Sequence, residues 1–156
     1  MPDSEEFLDP YLDPYLDPET GILRNLAGAR TKAALDDAEA SLSFARLIQL
    51  MDRPPKSTGD LTELRAIHRH LFQDLYDWAG QVRTVDIRKN VEGAEYFLPS
   101  GMIERASAFA AGQLRSDDAL RGLDRGHFIG RLAYHYDQVN YIHPFREGNG
   151  RVQRVF

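Results

Sequence analysis

Apolar residues along most of this chain recur at spacings of three and four, the period at which side chains share one face of an α-helix. Ala34, Leu35, Ala38, Leu42, Ala45 and Leu47 or Ile48 follow that period on an alanine-rich stretch, and Arg53-Pro54-Pro55 stops it, because proline cannot continue a helix. A second run, Leu61, Leu64, Ile67, His68, Leu71, Phe72 and Leu75, begins after Thr58-Gly59-Asp60, where Asp60 suits the N-cap, and closes at Trp78-Ala79-Gly80. Met102, Ile103, Ala106, Phe109, Ala110 and Leu114 predict a third apolar face. Phe128, Ile129, Leu132, Ala133, Tyr136 and Val139 predict a fourth, ending at Asn140-Tyr141-Ile142. Val152, Val155 and Phe156 start a last helix near Gly150, of which the chain holds about two turns. Only between the second and third runs does the period fall to two. Val82, Thr84, Asp86 and Arg88 alternate with Arg83, Val85 and Ile87, and after the polar stretch Asn90 to Ala94 come Tyr96, Phe97 and Leu98 before Pro99. The pattern predicts an all-α bundle with a single β-hairpin, whose free edge either crosses the surface or captures an extended peptide.

One segment follows neither period. FLDPYLDPYLDP, from Phe7 to Pro18, repeats a four-residue unit three times, and each proline pushes the aspartate before it toward extended backbone. Residues 1–18 are therefore expected to form a flexible acidic arm, and 19–156 a folded domain. Length and composition agree, since 156 residues with 42% hydrophobic content suffice for one domain with a real core. The net charge of -5 is concentrated in the first twenty residues, which hold seven acids and no base. The remainder is nearly balanced, so no basic stripe points to nucleic acid. The lack of cysteine excludes a disulfide scaffold, a thiolate zinc site and a cysteine nucleophile, and agrees with a reducing compartment. No apolar stretch is long enough to span a bilayer, and the acidic N-terminus lacks the form of a signal peptide; a soluble, cytoplasmic protein is expected.

The chemistry gathers in HPFREGNGRVQR, His143 to Arg154. Gly148-Asn149-Gly150 is a turn that lets backbone amides converge at a helix start, where free N–H groups attract anions. Arg151 and Arg154, three apart, share one side of that helix and suit further phosphate oxygens. Glu147 at the lip would repel phosphate unless a hard divalent cation bridged the two. His143 is the group here able to take a proton near neutral pH, as general base on a hydroxyl. Pro144 and Phe145 fix and anchor the loop. Together these residues fit a metal-bound nucleotide beside a proton acceptor.

HPFREGNGRVQR resembles the HPFx(D/E)GNGRxxR motif of the Fic proteins, which transfer AMP from ATP to a protein hydroxyl, and agrees at every specified position. Leu71 to Lys89 is similar to the Fic segment entering the flap hairpin, YFLPSGMI to its return, and PETGILRNLAG to the entry of the branch that works with a small antitoxin protein. The resemblance implies a Fic-type helical bundle and protein adenylyltransferase activity on serine, threonine or tyrosine, as the toxin of a toxin-antitoxin pair. It implies His143 as base, Glu147 as the magnesium ligand, and Gly148, Asn149 (backbone and side chain) and Gly150 as the anion hole. Arg151 and Arg154 would hold the β- and γ-phosphates, with Pro144 and Phe145 structural. Val82, Arg83, Thr84, Val85, Asp86, Ile87, Arg88, Lys89 and Phe97 would form the flap that registers the target by main-chain pairing. Arg83 and Lys89 are read as solvated charge, with target or phosphate contact as the alternative.

The partners implied are ATP with Mg2+, a target protein and an antitoxin supplying an inhibitory glutamate. Ser100 to Glu104 has the spacing of that glutamate's motif, but Arg105 follows where Gly or Asn belongs. The alternatives are another nucleotide-linked donor, a γ-phosphate kinase, which the intact GNGR element disfavours, a partner-binding module without turnover if the short last helix weakens the site, and secretion as an effector. His68, His70, His127 and His135 lack companions at metal-ligand spacing and are expected to be structural or exposed.

Overall fold

The computed structural model describes residues 13–156. Five α-helices carry it: α1 (Lys32–Asp52), α2 (Leu61–Phe72), α3 (Ile103–Ser116), α4 (Arg125–Ile142) and α5 (Asn149–Val155). Side-chain caps start three of them, Asp60 as the sequence predicts. Asp60 accepts from the amides of Thr62 and Glu63, Thr31 caps α1 through the Ala34 amide, and Asp124 caps α4 through that of His127. α2 lies at the centre, packed against α1, α3 and α5, while α4 packs against α3 and α5. Its face Leu64, Ile67, His68, Leu71 and Phe72 is buried as the period predicts. With Leu75, Tyr76, Trp78, Phe145 and Val152 it forms the main core. A smaller cluster of Leu98, Ile103 and Ile142 joins the return of the 82–98 loop to α3 and the end of α4.

Two helical faces differ from expectation. On α4 the buried residues are His135 and Ile142, whereas Phe128, Ile129, Leu132 and Tyr136 are exposed. On α3 Ser107 and Ala111 are buried with Ile103, and Phe109 is exposed. On α3 two of the three buried side chains are small, while the large apolar Phe109 of α3 and Phe128, Ile129, Leu132 and Tyr136 of α4, which set the sequence pattern, stand outside the buried faces.

The hairpin is also less regular than predicted. Among the described residues it contains one antiparallel bridge, Arg88 with Tyr96, next to a bond from the Phe97 amide to the Ile87 carbonyl. Nearer its base the backbone pairs elsewhere: the Arg83 amide donates to the Pro144 carbonyl at 2.9 Å and the Leu98 amide to that of Tyr141 at 3.1 Å. One leg is thus bonded to the turn after α4 and the other to its last turn, and among the described residues no ladder forms between them.

Of the expected flexible arm, residues 1–12 lie outside the described residues, and 13–18 are fixed. Asp13 and Tyr15 are buried, and Leu16 forms an antiparallel bridge with Leu23. The repeat supplies turn-forming aspartates, and a tyrosine large enough to reach the core, so proline here stiffens the segment. Among the described residues no helix is long and apolar enough to cross a membrane.

Candidate active site

α4 ends by turning left-handed at His143 (φ 46°, ψ 64°), a conformation unusual for a residue with a Cβ. The turn lifts the imidazole off the helix axis and lays it against Phe97, with ring centroids 3.6 Å apart and planes 7° apart. Nδ1 lies 3.1 Å from the Asn140 carbonyl. A carbonyl only accepts, so Nδ1 carries the proton and the Nε2 lone pair is left to accept one. Burial, with Arg83 and Lys89 nearby, lowers the His143 pKa to about 4 against the Asn140 bond that favours the charged form, so the ring is neutral at physiological pH.

Arg83 fixes this turn, contrary to its reading as solvated charge. It is 2% exposed, and its guanidinium donates to the carbonyls of His143 (2.7 Å), Val85 (2.8 Å), Leu98 (2.5 Å) and Ile142 (3.2 Å). One side chain thereby satisfies carbonyls that the end of α4 leaves open and joins both legs of the flap to the histidine. Its charge alone suggested solvent, although the alternation sets it on the same side as Val85 and Ile87; only the tertiary path reveals the role. Lys89 is exposed, as read.

His68 holds the far side of the loop. Fully buried on α2, it donates from Nε2 to the Glu147 carbonyl (3.0 Å), accepts at Nδ1 from the Gly80 amide (2.8 Å) and stacks on Phe145 with centroids 4.1 Å apart. Burial lowers its pKa to about 4, so both bonds belong to one neutral tautomer. Phe145 is fully buried and Pro144 is buried.

The glycine turn follows. Gly148 has φ +81°, and a Cβ there would lie 2.4 Å from two ring carbons of the fully buried Phe72. Its amide donates to the Glu147 carboxylate at 3.0 Å, so an anionic oxygen already rests at the predicted seat. The Asn149 side chain is placed differently from expectation. Its amide nitrogen donates to the Phe145 carbonyl (2.6 Å) and its oxygen accepts from the Phe145 amide (2.9 Å), closing the loop on itself. Buried, with one bond at each end of its amide, it shapes the turn. Gly150 is open: the nearest atom to an added Cβ is Arg154 Nη1, 4.0 Å away.

The two arginines differ. Arg154 is exposed, beside Gly150, with no ion pair among the described residues. Arg151 donates to Glu39 of α1, whose other oxygen accepts from the Tyr76 hydroxyl at 2.6 Å. Burial, then the bond and charge of Glu39, push the Tyr76 pKa upward, so the phenol stays protonated. Lys32 on α1 pairs with Asp36, which raises its pKa, and feels both Glu147 and Glu39. Sequence reasoning missed Glu39 and Lys32, since nothing local links α1 to the motif. Glu147 is exposed, and the described residues contain no cluster of three or more His, Cys, Asp or Glu able to cage an ion. One exposed carboxylate beside an anion seat fits magnesium, which takes most of its ligands from phosphate and water.

A family model, Fic/DOC family, matches residues 58–156. The chain belongs to the Fic/DOC family. This Fic chain is 41% identical over 148 residues to protein adenylyltransferase VbhT of Bartonella schoenbuchensis, a match covering 95% of this chain and 30% of that protein. It is 38% identical over 135 residues to a protein named Probable protein adenylyltransferase Fic in Escherichia coli, covering 86% and 65%. It thus spans less than two thirds of either relative's length. Among solved structures, BepC of Bartonella tribocorum with bound AMPPNP superposes with a TM-score of 0.82 at 25% identity, covering 90% of this chain and 73% of that one. The helical architecture agrees with membership.

Proposed function

We propose that this chain is a protein adenylyltransferase, moving AMP from ATP to a serine, threonine or tyrosine hydroxyl of a target protein. The observation that carries the reading is the fixed tautomer of His143, a neutral imidazole with Nε2 unprotonated in the loop that also presents Gly148, Gly150 and Arg154 to an anion. The VbhT relative's name and the AMPPNP held by the BepC structure support it.

His143 Nε2 takes the proton of the target hydroxyl as its oxygen attacks the α-phosphorus and pyrophosphate departs. The backbone of the 148–150 turn faces the charge that builds on the phosphate, where preorganised donors need no reordering. Arg154 meets the outer phosphates directly; Arg151 joins it while held by Glu39. Glu147 would hold the magnesium ion, which would supply charge neutralisation on the phosphates. Its carboxylate bonds the Gly148 amide, and turning away from it would leave that amide open to phosphate. An incoming anion also raises the basicity of His143, offsetting Arg83 and Lys89. The flap residues 82–89 and Phe97 register the target beside this base, through backbone groups of the tip, since those at the base are bonded to the motif loop. A toxin role in the cytoplasm, restrained by an antitoxin that supplies a carboxylate to Arg154, rests on the likeness of PETGILRNLAG to the entry of the antitoxin-partnered branch.

The test is label transfer from magnesium ATP carrying the α- or γ-phosphate label, with cell extract as acceptor and His143→Ala as control. Incorporation of α label that depends on His143 supports AMP transfer. Incorporation of γ label alone overturns it in favour of a kinase.

A further inference from the structure

Asp13 and Tyr15 lie far from the motif in sequence, and between them they grip both halves of the site. Asp13 Oδ2 accepts from Arg146 Nε (3.0 Å) and Nη2 (2.7 Å), and both side chains are largely buried. Arg146 sits between Phe145 and Glu147, so this fork holds the motif loop from outside the bundle. Two residues on, the Tyr15 hydroxyl accepts from the Thr84 amide (3.1 Å) in the outgoing leg of the flap, while its ring packs edge-on against Trp78 with centroids 5.2 Å apart.

The link between these grips is short and stiff. Pro14 restricts the backbone, and Asp13 Oδ1 accepts from the Tyr15 amide (3.0 Å). Arg24 fastens it, donating from its backbone to the Tyr15 carbonyl and from its side chain to that of Pro14. Loop and flap therefore meet at a separation fixed by three residues. We infer that Asp13 and Tyr15 are positioning residues that align the flap with the motif loop, Asp13 acting through Arg146 on the nucleotide side and Tyr15 through Thr84 on the target side. The kinetic part of the inference rests on the adenylyltransferase reading; the geometric part does not.

Two conservative variants separate the grips. Tyr15→Phe keeps the ring in the core and removes the acceptor for Thr84; Asp13→Asn keeps the shape and the Tyr15 turn and removes the charge facing Arg146. Hydrogen exchange, calorimetric affinity for magnesium ATP, and transfer kinetics are measured on the whole chain. In Tyr15→Phe the Thr84 amide exchanges at least tenfold faster and KM for the target rises severalfold, with nucleotide affinity within twofold of the parent. In Asp13→Asn nucleotide affinity falls about fivefold and Thr84 exchange is unchanged. Overturning results are equal shifts of both properties in both variants, or a lowered Tm with neither property moved, either of which leaves only general stabilisation. If the parent chain transfers no label, AMP transfer fails as a reading, and Thr84 exchange and nucleotide affinity still decide this one.

Discussion

Gly150→Ala separates stability from binding at one atom. Gly150 lies in the first turn of α5 with φ outside the left-handed range, and an added Cβ meets nothing closer than Arg154 Nη1 at 4.0 Å. Alanine should therefore be accepted without strain, and the reduced freedom of the unfolded chain should add up to about 1 kcal/mol. For a domain of this size that raises Tm by roughly 1–4 °C. The same methyl occupies the face on which a phosphate would rest against the 148–150 backbone. Displacing one charge-assisted hydrogen bond costs about 1.5–3 kcal/mol, a loss of roughly 10- to 150-fold in nucleotide affinity. Calorimetry with magnesium ATP and a thermal melt on the same sample read both effects. Unchanged affinity would refute the placement of phosphate on this turn; a lower Tm would refute the open space described around Gly150.

Gly148→Ala behaves oppositely: the left-handed backbone costs about 1–2 kcal/mol and crowding against Phe72 about 1–3 more, so urea unfolding should show a loss of roughly 2–5 kcal/mol, partly restored by Phe72→Leu. Arg83→Met leaves the carbonyls of Val85, Leu98, Ile142 and His143 without their donor and should cost about 3–5 kcal/mol in the same assay, and Arg83→Lys should not restore it, because an ammonium lacks the planar fork. His68 and His143 both have pKa values lowered to about 4 from 6.5, so the unfolded chain binds more protons between those values. Stability should be fully present above pH 6.5 and fall as pH drops toward 4, by roughly 3 kcal/mol from buried His68 alone; a urea midpoint constant across that range would contradict the buried neutral tautomers.

Much of this was readable in the sequence where causes are local. The caps at Asp60, the face of α2 and the start of the last helix each follow from residues within a turn of one another. The motif residues are contiguous, so their gathering into one loop needed no tertiary knowledge. Three things were hidden. The α4 face was misread because periodicity counts apolar residues without knowing which side meets a neighbour, and Phe128, Ile129, Leu132 and Tyr136 stand outside. The groups that hold the site in place, Arg83, His68, Glu39 and Asp13, act across 60 to 133 positions on residues to which no local pattern connects them. The Asn149 side chain was assigned to the anion hole by the family resemblance, and its two bonds to Phe145, which make the turn, have no counterpart in any local pattern.

The left-handed backbone of His143 sets evolution of this chain against itself. That position ends α4 in a geometry that glycine adopts freely and histidine adopts at a cost of about 1–2 kcal/mol. A change to glycine would relieve the backbone and remove the imidazole we propose as the base, so selection for folding and selection for chemistry pull this position in opposite directions. Descendants released from the need for activity should accumulate Gly or Asn here early, and the residue at this one position would then report whether such a lineage still performs the reaction.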